Sequence, residues 1–307
     1  MCDSGQESGH AIPVPEIEGR KIMKSMLASA ALVASAMVAA PAFTASALAE
    51  TPVERGEYLV RGPMACGNCH TPLGPEGPVA GQELAGRLVE KTDQYEAIAP
   101  NITPAGNVGK WSDAEFARAI REGIRPDGSV IGPPMPFTFY RDLSDTDLAA
   151  VVAFLRTVPA VENDPGKSSY SFSLPPAYGP PVTSVADIAR GPTAEYGKYV
   201  AGPLAHCLEC HSPITPQGPD LTKLGQGGYE FHGPWGVSIA PNLTSSQDGL
   251  AGLADEPLAA MITAGKRPDG TAMLPPMPYA NFARMTADDV TAVIAYLRTL
   301  PPLPDPQ

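Results

Sequence analysis

Apolar positions recur with helical spacing at two matched places in this chain. Leu148, Val151, Val152 and Leu155 form an i, i+3, i+4, i+7 stripe, the signature of a helix with one buried face. Ser144 precedes it as an N-cap with Asp147 three residues on, and Pro159 follows its end. Val290, Val293, Ile294 and Leu297 repeat the stripe, opened by Thr286 and Asp289 and stopped by Pro301. A shorter helix is predicted from the capping box Ser112-Asp113-Ala114-Glu115 to near Gly123. Two more are predicted through Gly56–Val60 and Gly197–Ala201. No sustained period-2 alternation argues for a sheet, so the expected fold class is all-α.

The matching stripes belong to a longer internal repeat. Ala99-Pro100-Asn101-Ile102-Thr103 recurs as Ala240-Pro241-Asn242-Leu243-Thr244, and Arg125-Pro126-Asp127-Gly128 as Arg267-Pro268-Asp269-Gly270. Pro133-Pro134-Met135-Pro136 recurs as Pro275-Pro276-Met277-Pro278, and Phe154-Leu155-Arg156-Thr157 as Tyr296-Leu297-Arg298-Thr299. The pattern predicts two tandem domains, 50–159 and 193–307. A proline-rich linker, 160–192, joins them.

Residues 1–49 read as a leader. Arg20, Lys21 and Lys24 give a positive start, Met26 to Ala40 an apolar stretch, and Ala47-Leu48-Ala49 a small-residue cleavage site. Met23 is a candidate start, which would leave Cys2 without a role. The apolar run is short for a membrane span, so an exported protein, at most peripheral on a membrane, is expected. Proline is high, at 36 of 307 residues, which suits short helices joined by stiffened loops. The formal net charge of −12 disfavours nucleic acid, whose phosphates demand basic patches, and favours a partner with a basic docking face.

Four of the five cysteines fall in Cys66-Gly67-Asn68-Cys69-His70 and Cys207-Leu208-Glu209-Cys210-His211, one per repeat. Cys-x-x-Cys-His is the attachment pattern of a c-type haem. Two thiols can bond the vinyl groups, and the adjacent His can ligate iron. A zinc site would want another thiol or His pair nearby, and a redox dithiol has no need of the His. The chain is therefore expected to carry two covalently attached haem c groups, with His70 and His211 as proximal iron ligands.

Each iron then needs a second ligand or stays open. Met135 and Met277 sit in the repeated Pro-Pro-Met-Pro loops, 65 and 66 residues after the respective His. A lone Met more often fills a gap in a core, but recurrence in one tetrapeptide at matched spacing points to axial ligation, which raises the reduction potential. Met64 and Met273 lack Met counterparts and are expected to pack. His206 and His232 occur only in the second repeat and are expected at the surface or in hydrogen bonds.

The haem motifs, the Ala-Pro-Asn segments, Trp111-Ser112-Asp113, Ile120-Arg121-Glu122-Gly123, Met135-Pro136, Leu143-Ser144-Asp145 and Phe154–Thr157 together resemble class I-type c-type cytochromes. The likeness is to the electron-transfer subunits of bacterial periplasmic alcohol, gluconate and sorbitol dehydrogenases and of some molybdenum hydroxylases. The resemblance covers nearly all of 51–302. It implies His70/Met135 and His211/Met277 as axial pairs, with Asn101, Thr103 and Trp111 lining the first pocket and Asn242 and Thr244 the second. It also implies a periplasmic dehydrogenase as electron donor and a cytochrome or terminal oxidase as acceptor. The second repeat has no Trp matching Trp111, so the two haems are expected to differ. Many such subunits carry three haem motifs and a membrane anchor; with two motifs, a soluble shuttle is the expectation.

The expected function is thus electron transfer, with no catalytic acid–base pair. A dihaem peroxidase or a thiosulfate dehydrogenase-type enzyme is the alternative. The first would need an open iron and a base, the second an unusual iron ligand. A subunit fixed in a larger oxidoreductase shares the same chemistry as a free carrier.

Overall fold

The computed structural model describes residues 49–215 and 218–306. The leader, Met23 and Cys2 lie outside the described residues. Helices α1 (Pro52–Arg61), α2 (Cys66–His70), α3 (Asp113–Glu122), α4 (Phe137–Tyr140) and α5 (Asp145–Thr157) belong to the first repeat. Helices α6 (Ala194–Tyr199), α7 (Cys207–Cys210), α8 (Asp255–Ala264), α9 (Tyr279–Phe282) and α10 (Ala287–Leu297) repeat that order in the second. A π-helical turn, Val200–Leu204, extends α6 around Pro203.

The helix starts follow from local chemistry. Thr51 and Ser112 close capping boxes with Glu54 and Glu115, satisfying amide donors that have no partner inside the helix. Ser144 and Thr286 cap α5 and α10 through their hydroxyls. Gly123 and Gly265 end α3 and α8 in the left-handed conformation, which glycine adopts without steric cost. The α5 and α10 stripes are buried, Leu148, Val151, Val152 and Leu155 in one and Val290, Val293, Ile294 and Leu297 in the other.

The α1 helix crosses α5, and α6 crosses α10, at a glycine. A Cβ on Gly56 would stand 1.9 Å from the Ala150 carbonyl oxygen, and one on Gly197 1.8 Å from that of Ala292. Only a residue without a side chain permits backbones this close.

The all-α expectation is corrected by small antiparallel sheets. Strands β3 (Arg87–Lys91) and β4 (Tyr95–Ala99) pair Arg87 with Ala99, and β5 (Ser169–Tyr170) adds to β4 with Tyr95 opposite Tyr170. In the second repeat β8 (Glu230–Gly233) pairs with β9 (Gly236–Ile239). Two-residue ladders, β1 (Leu73–Gly74) with β2 (Gly77–Pro78) and β6 (Ile214–Thr215) with β7 (Gly218–Pro219), follow the Cys-x-x-Cys-His helices. These strands are too short to show a period in sequence, and β5 exists only because the linker lies along β4. Tandem domains of the expected kind remain, with helices supplying the core. No helix among the described residues is long and apolar enough to cross a membrane.

The described residues form one compact unit, and a near-symmetric polar seam joins the repeats. Tyr58 of the first repeat donates its hydroxyl to Asp289 of the second. Tyr199 of the second donates to Asp147 of the first at 2.9 Å. Each phenol oxygen also accepts the N-cap amide of the facing helix, Thr286 at 3.2 Å and Ser144 at 3.1 Å. The symmetry breaks at Arg55, which makes a buried two-pronged ion pair with Asp147 at 2.7 and 2.9 Å; its counterpart is Tyr196.

Candidate haem sites

The two haem motifs stand in the same local frame. Ala65 and His206 open α2 and α7 in the left-handed region, at φ 47° and 38°, turning the chain sharply before the first thiol. Thr71 Oγ1 accepts the Leu84 amide at 3.0 Å, and Ser212 Oγ accepts the Gly225 amide at 3.1 Å. Gly86 and Gly227 donate to the carbonyls of His70 and His211, at 2.6 and 2.9 Å. Each also lies too close to the Ala-Pro-Asn backbone for a Cβ.

The Ala-Pro-Asn-x-Thr repeat now has a physical role. His70 Nδ1 donates to the Pro100 carbonyl at 2.8 Å, and His211 Nδ1 to that of Pro241 at 2.8 Å. A proton held at Nδ1 leaves Nε2 with its lone pair free for a metal. Burial is the main cause that pushes both imidazole pKa values down, against the carbonyl bond, so both rings are neutral at neutral pH. Asn101 and Asn242 accept through Oδ1 from the amide and hydroxyl of Thr103 and Thr244. Their Nδ2 groups donate to Val161 and Leu303, binding the segment that leaves each repeat.

All four motif thiols are free. Burial pushes Cys66 and Cys207 up to about 12 and raises Cys69 and Cys210 as well. Among the described residues no group of three or more His, Cys, Asp or Glu is arranged to hold a metal ion by itself.

The four thiols, His70, His211, Met135 and Met277 all line one continuous cavity of about 3100 Å³. Asn101, Trp111 and Asn242 join its walls, whereas Thr103 and Thr244 are fully buried on their Asn partners and are not among the lining residues. Met273 and Met64 also line it, Met64 from the core, where it is 2% exposed. A cavity of this size, lined by the two cysteines, the imidazole and the methionine of each repeat among apolar and aromatic side chains, fits two covalently held haems.

His206 and His232 also line the cavity, each beside a glutamate. His206 Nδ1 lies 2.9 Å from Glu209 and its ring meets Tyr140 edge-on at 5.8 Å. His232 is exposed, 3.5 Å from Glu230.

Sequence reasoning missed the Pro100 and Pro241 carbonyls, the tyrosine seam and Arg156. Arg156 donates to the Val108 and Trp111 carbonyls at 2.7 and 2.6 Å and pairs with Asp113. Arg298 does the same at Leu250, Leu253 and Asp255. The signal was present, since the Arg recurs in both Leu-Arg-Thr copies.

A haem-attaching, tandem-repeat cytochrome is the class that this fold and site define. The cytochrome c family model matches residues 53–159 and again 194–301, and the chain belongs to that family, with two covalently bound haem c groups. It is 29% identical over 268 residues to the fructose dehydrogenase cytochrome subunit of Gluconobacter japonicus, covering 81% of this chain and 52% of that one. It is 29% identical over 274 residues to the alcohol dehydrogenase (quinone) cytochrome c subunit of Gluconobacter oxydans, covering 82% and 55%. A diheme cytochrome c-type protein of Cereibacter sphaeroides is 30% identical over 250 residues, covering 77% and 82%. The chain therefore spans about half the length of the dehydrogenase subunits and most of the dihaem protein.

Proposed function

We propose that this protein is a periplasmic dihaem electron carrier, taking electrons from a dehydrogenase and passing them to another cytochrome or a terminal oxidase. The observation that carries the reading is that the matched cysteines, histidines and methionines of both repeats line one cavity. Cys66, Cys69, His70 and Met135 would hold one haem, and Cys207, Cys210, His211 and Met277 the other. When bound, the haems would supply the ferrous/ferric couple, and a methionine thioether as ligand would favour the ferrous form. Pro100 and Pro241 hold the proton at Nδ1 and orient the imidazole rings, leaving Nε2 free for the iron.

Relatives named as cytochrome subunits of fructose and alcohol dehydrogenases support a dehydrogenase as donor. The peroxidase alternative wants one iron without a strong axial ligand. Met277 lies on its cavity wall just as Met135 does, which favours the carrier.

The test is the optical spectrum of the ferric, haem-quantified protein. The weak red band of a Met-sulfur-to-iron bond is expected at full intensity for two haems. Met135→Ala and Met277→Ala should each halve it, keep the haem attached, lower one potential and admit CO. Unchanged potentials and no CO binding in either variant would overturn the ligand assignment; half intensity in the parent protein would bring the peroxidase forward.

A further inference from the structure

The side chains expected to hold the two haems are the same in both repeats, and each imidazole donates to a proline carbonyl at 2.8 Å. Matched ligands leave the surroundings to set the two reduction potentials apart. Two matched positions beside the motifs differ in charge. Inside the motif, before the second cysteine, the first repeat has Asn68 and the second Glu209. Beyond it, Gly86 donates to the His70 carbonyl and Gly227 to that of His211. The residue that follows is Arg87 in the first repeat and Gly228 in the second.

Arg87 is fixed on the first motif. Its Nη2 donates to the Asn68 carbonyl at 2.7 Å and its Nη1 to that of Leu88 at 2.8 Å. Its partner across the ladder, Ala99, precedes the Pro100 that holds His70. The side chain lines the cavity, and its Nε is buried without a hydrogen-bond partner. Among the described residues no carboxylate forms an ion pair with it. Of the acids on the same ladder, Glu90 accepts the Tyr95 hydroxyl at 2.5 Å, and Glu96 pairs with Lys91 at 2.7 Å. A guanidinium stays charged at every working pH, and this one reaches both Cys69 and His70 with its field.

The second motif is surrounded by the opposite sign. The charge of Glu209 reaches Cys210, where no cation acts. It reaches Cys69 too, but there Arg87 acts more strongly. His206, 2.9 Å from Glu209, offsets that charge only when protonated. The wider wall has the same bias. The second repeat gives the cavity Glu209, Glu230 and Asp248 against Arg267 alone, whereas the acids and bases given by the first repeat and the linker are equal in number. A ferric centre carries one positive charge more than a ferrous one, so a nearby cation favours the ferrous form and a nearby anion the ferric. We infer that Arg87, with Glu209 opposing it at the other motif, holds the first centre at the higher reduction potential, so that the second repeat receives electrons and the first delivers them. In the internal step one electron leaves the ferrous centre at His211 and reduces the ferric centre at His70, and no bond or proton changes place. The direction rests on the carrier reading, with a dehydrogenase as donor and a cytochrome or oxidase as acceptor.

The test is a redox titration of the full haem-loaded protein, with the haem-methyl resonances of each repeat followed separately by paramagnetic NMR. The first haem is expected to be reduced before the second. Arg87→Gln removes the charge and should weaken reduction of the first haem about three- to tenfold, tenfold being about 59 mV for one electron, while the second stays nearly unmoved. Arg87→Lys keeps the charge and should retain most of the parent value. The second haem reduced first in the parent, or a first potential indifferent to Arg87→Gln, overturns the inference. Equal losses in the Gln and Lys variants overturn it too, since Arg87 would then act through its bond to Asn68 and not through charge. Glu209→Asn should raise the second potential more than the first. If Arg87→Gln fails to hold its haem, that variant decides, and an unchanged gap between the potentials overturns the assignment. A full two-haem red band with the order reversed defeats the direction alone. A half-intensity band with the order and its Arg87 dependence intact defeats only the ligand reading.

Discussion

At the residue scale, the chemistry of the sites is divided between side chains the sequence announces and backbone groups it does not. The thiols, imidazoles and thioethers stand in recognisable motifs because their spacing along the chain is itself the constraint. The carbonyls of Pro100 and Pro241 are legible only once the fold brings them 30 residues back onto the imidazoles. The same holds for Arg55, whose buried pair with Asp147 joins residues 92 positions apart. Removing the cation leaves a carboxylate that is 5% exposed with the Tyr199 hydroxyl and, at 4.0 Å, the half-exposed Arg190 guanidinium. Arg55→Leu is therefore expected to cost about 3–5 kcal/mol in chemical denaturation. Arg55→Leu combined with Asp147→Leu should recover most of that loss, and a double variant no better than the single one would mean that the pair is not what holds this region.

At the element scale, α1, α3, α5, α6 and α10 were legible, because caps and apolar stripes are local, whereas α8, which has no side-chain cap, and the four- and five-residue helices α2, α4, α7 and α9 were not. The strands were not, because each is two to five residues long and is defined by its neighbour. The repeats also differ locally. Ser112 closes a capping box on α3, whereas Ala254 starts α8 with no side-chain cap. Ser112→Ala should destabilise by about 0.5–2 kcal/mol, and Ala254→Ser should stabilise by a smaller amount, both read from thermal unfolding of the haem-loaded protein. The helix crossings are less forgiving. Gly56→Ala and Gly197→Ala each force a methyl into a carbonyl less than 2 Å away. Each should cost about 1–3 kcal/mol or more, and preserved stability in either would mean that the crossing can open without loss.

At the scale of the whole molecule, the repeats act on one another through the seam of Tyr58, Tyr199, Asp147 and Asp289. Each phenol hydroxyl fills the N-terminus of the other repeat's last helix, so loosening one repeat exposes a buried carboxylate of its neighbour. The expected consequence is a single cooperative thermal transition for residues 49–306. Tyr58→Phe with Tyr199→Phe should separate it into two, seen by calorimetry; two transitions in the unmodified protein would show that the seam carries no coupling. The sequence by itself determined the haem attachment, the two-fold repeat, the helices and the four side chains expected at each iron, because covalent chemistry, caps and periodicity act over short stretches of chain. Only the tertiary structure decided which carbonyl orients each imidazole, that residues of both sites line one cavity, and that the linker braces the first methionine loop through Tyr170 and Tyr178 while Ser238 holds the second from within its own repeat. Those outcomes depend on pairs of groups far apart in the chain, and neither member of such a pair carries a local signal of the other.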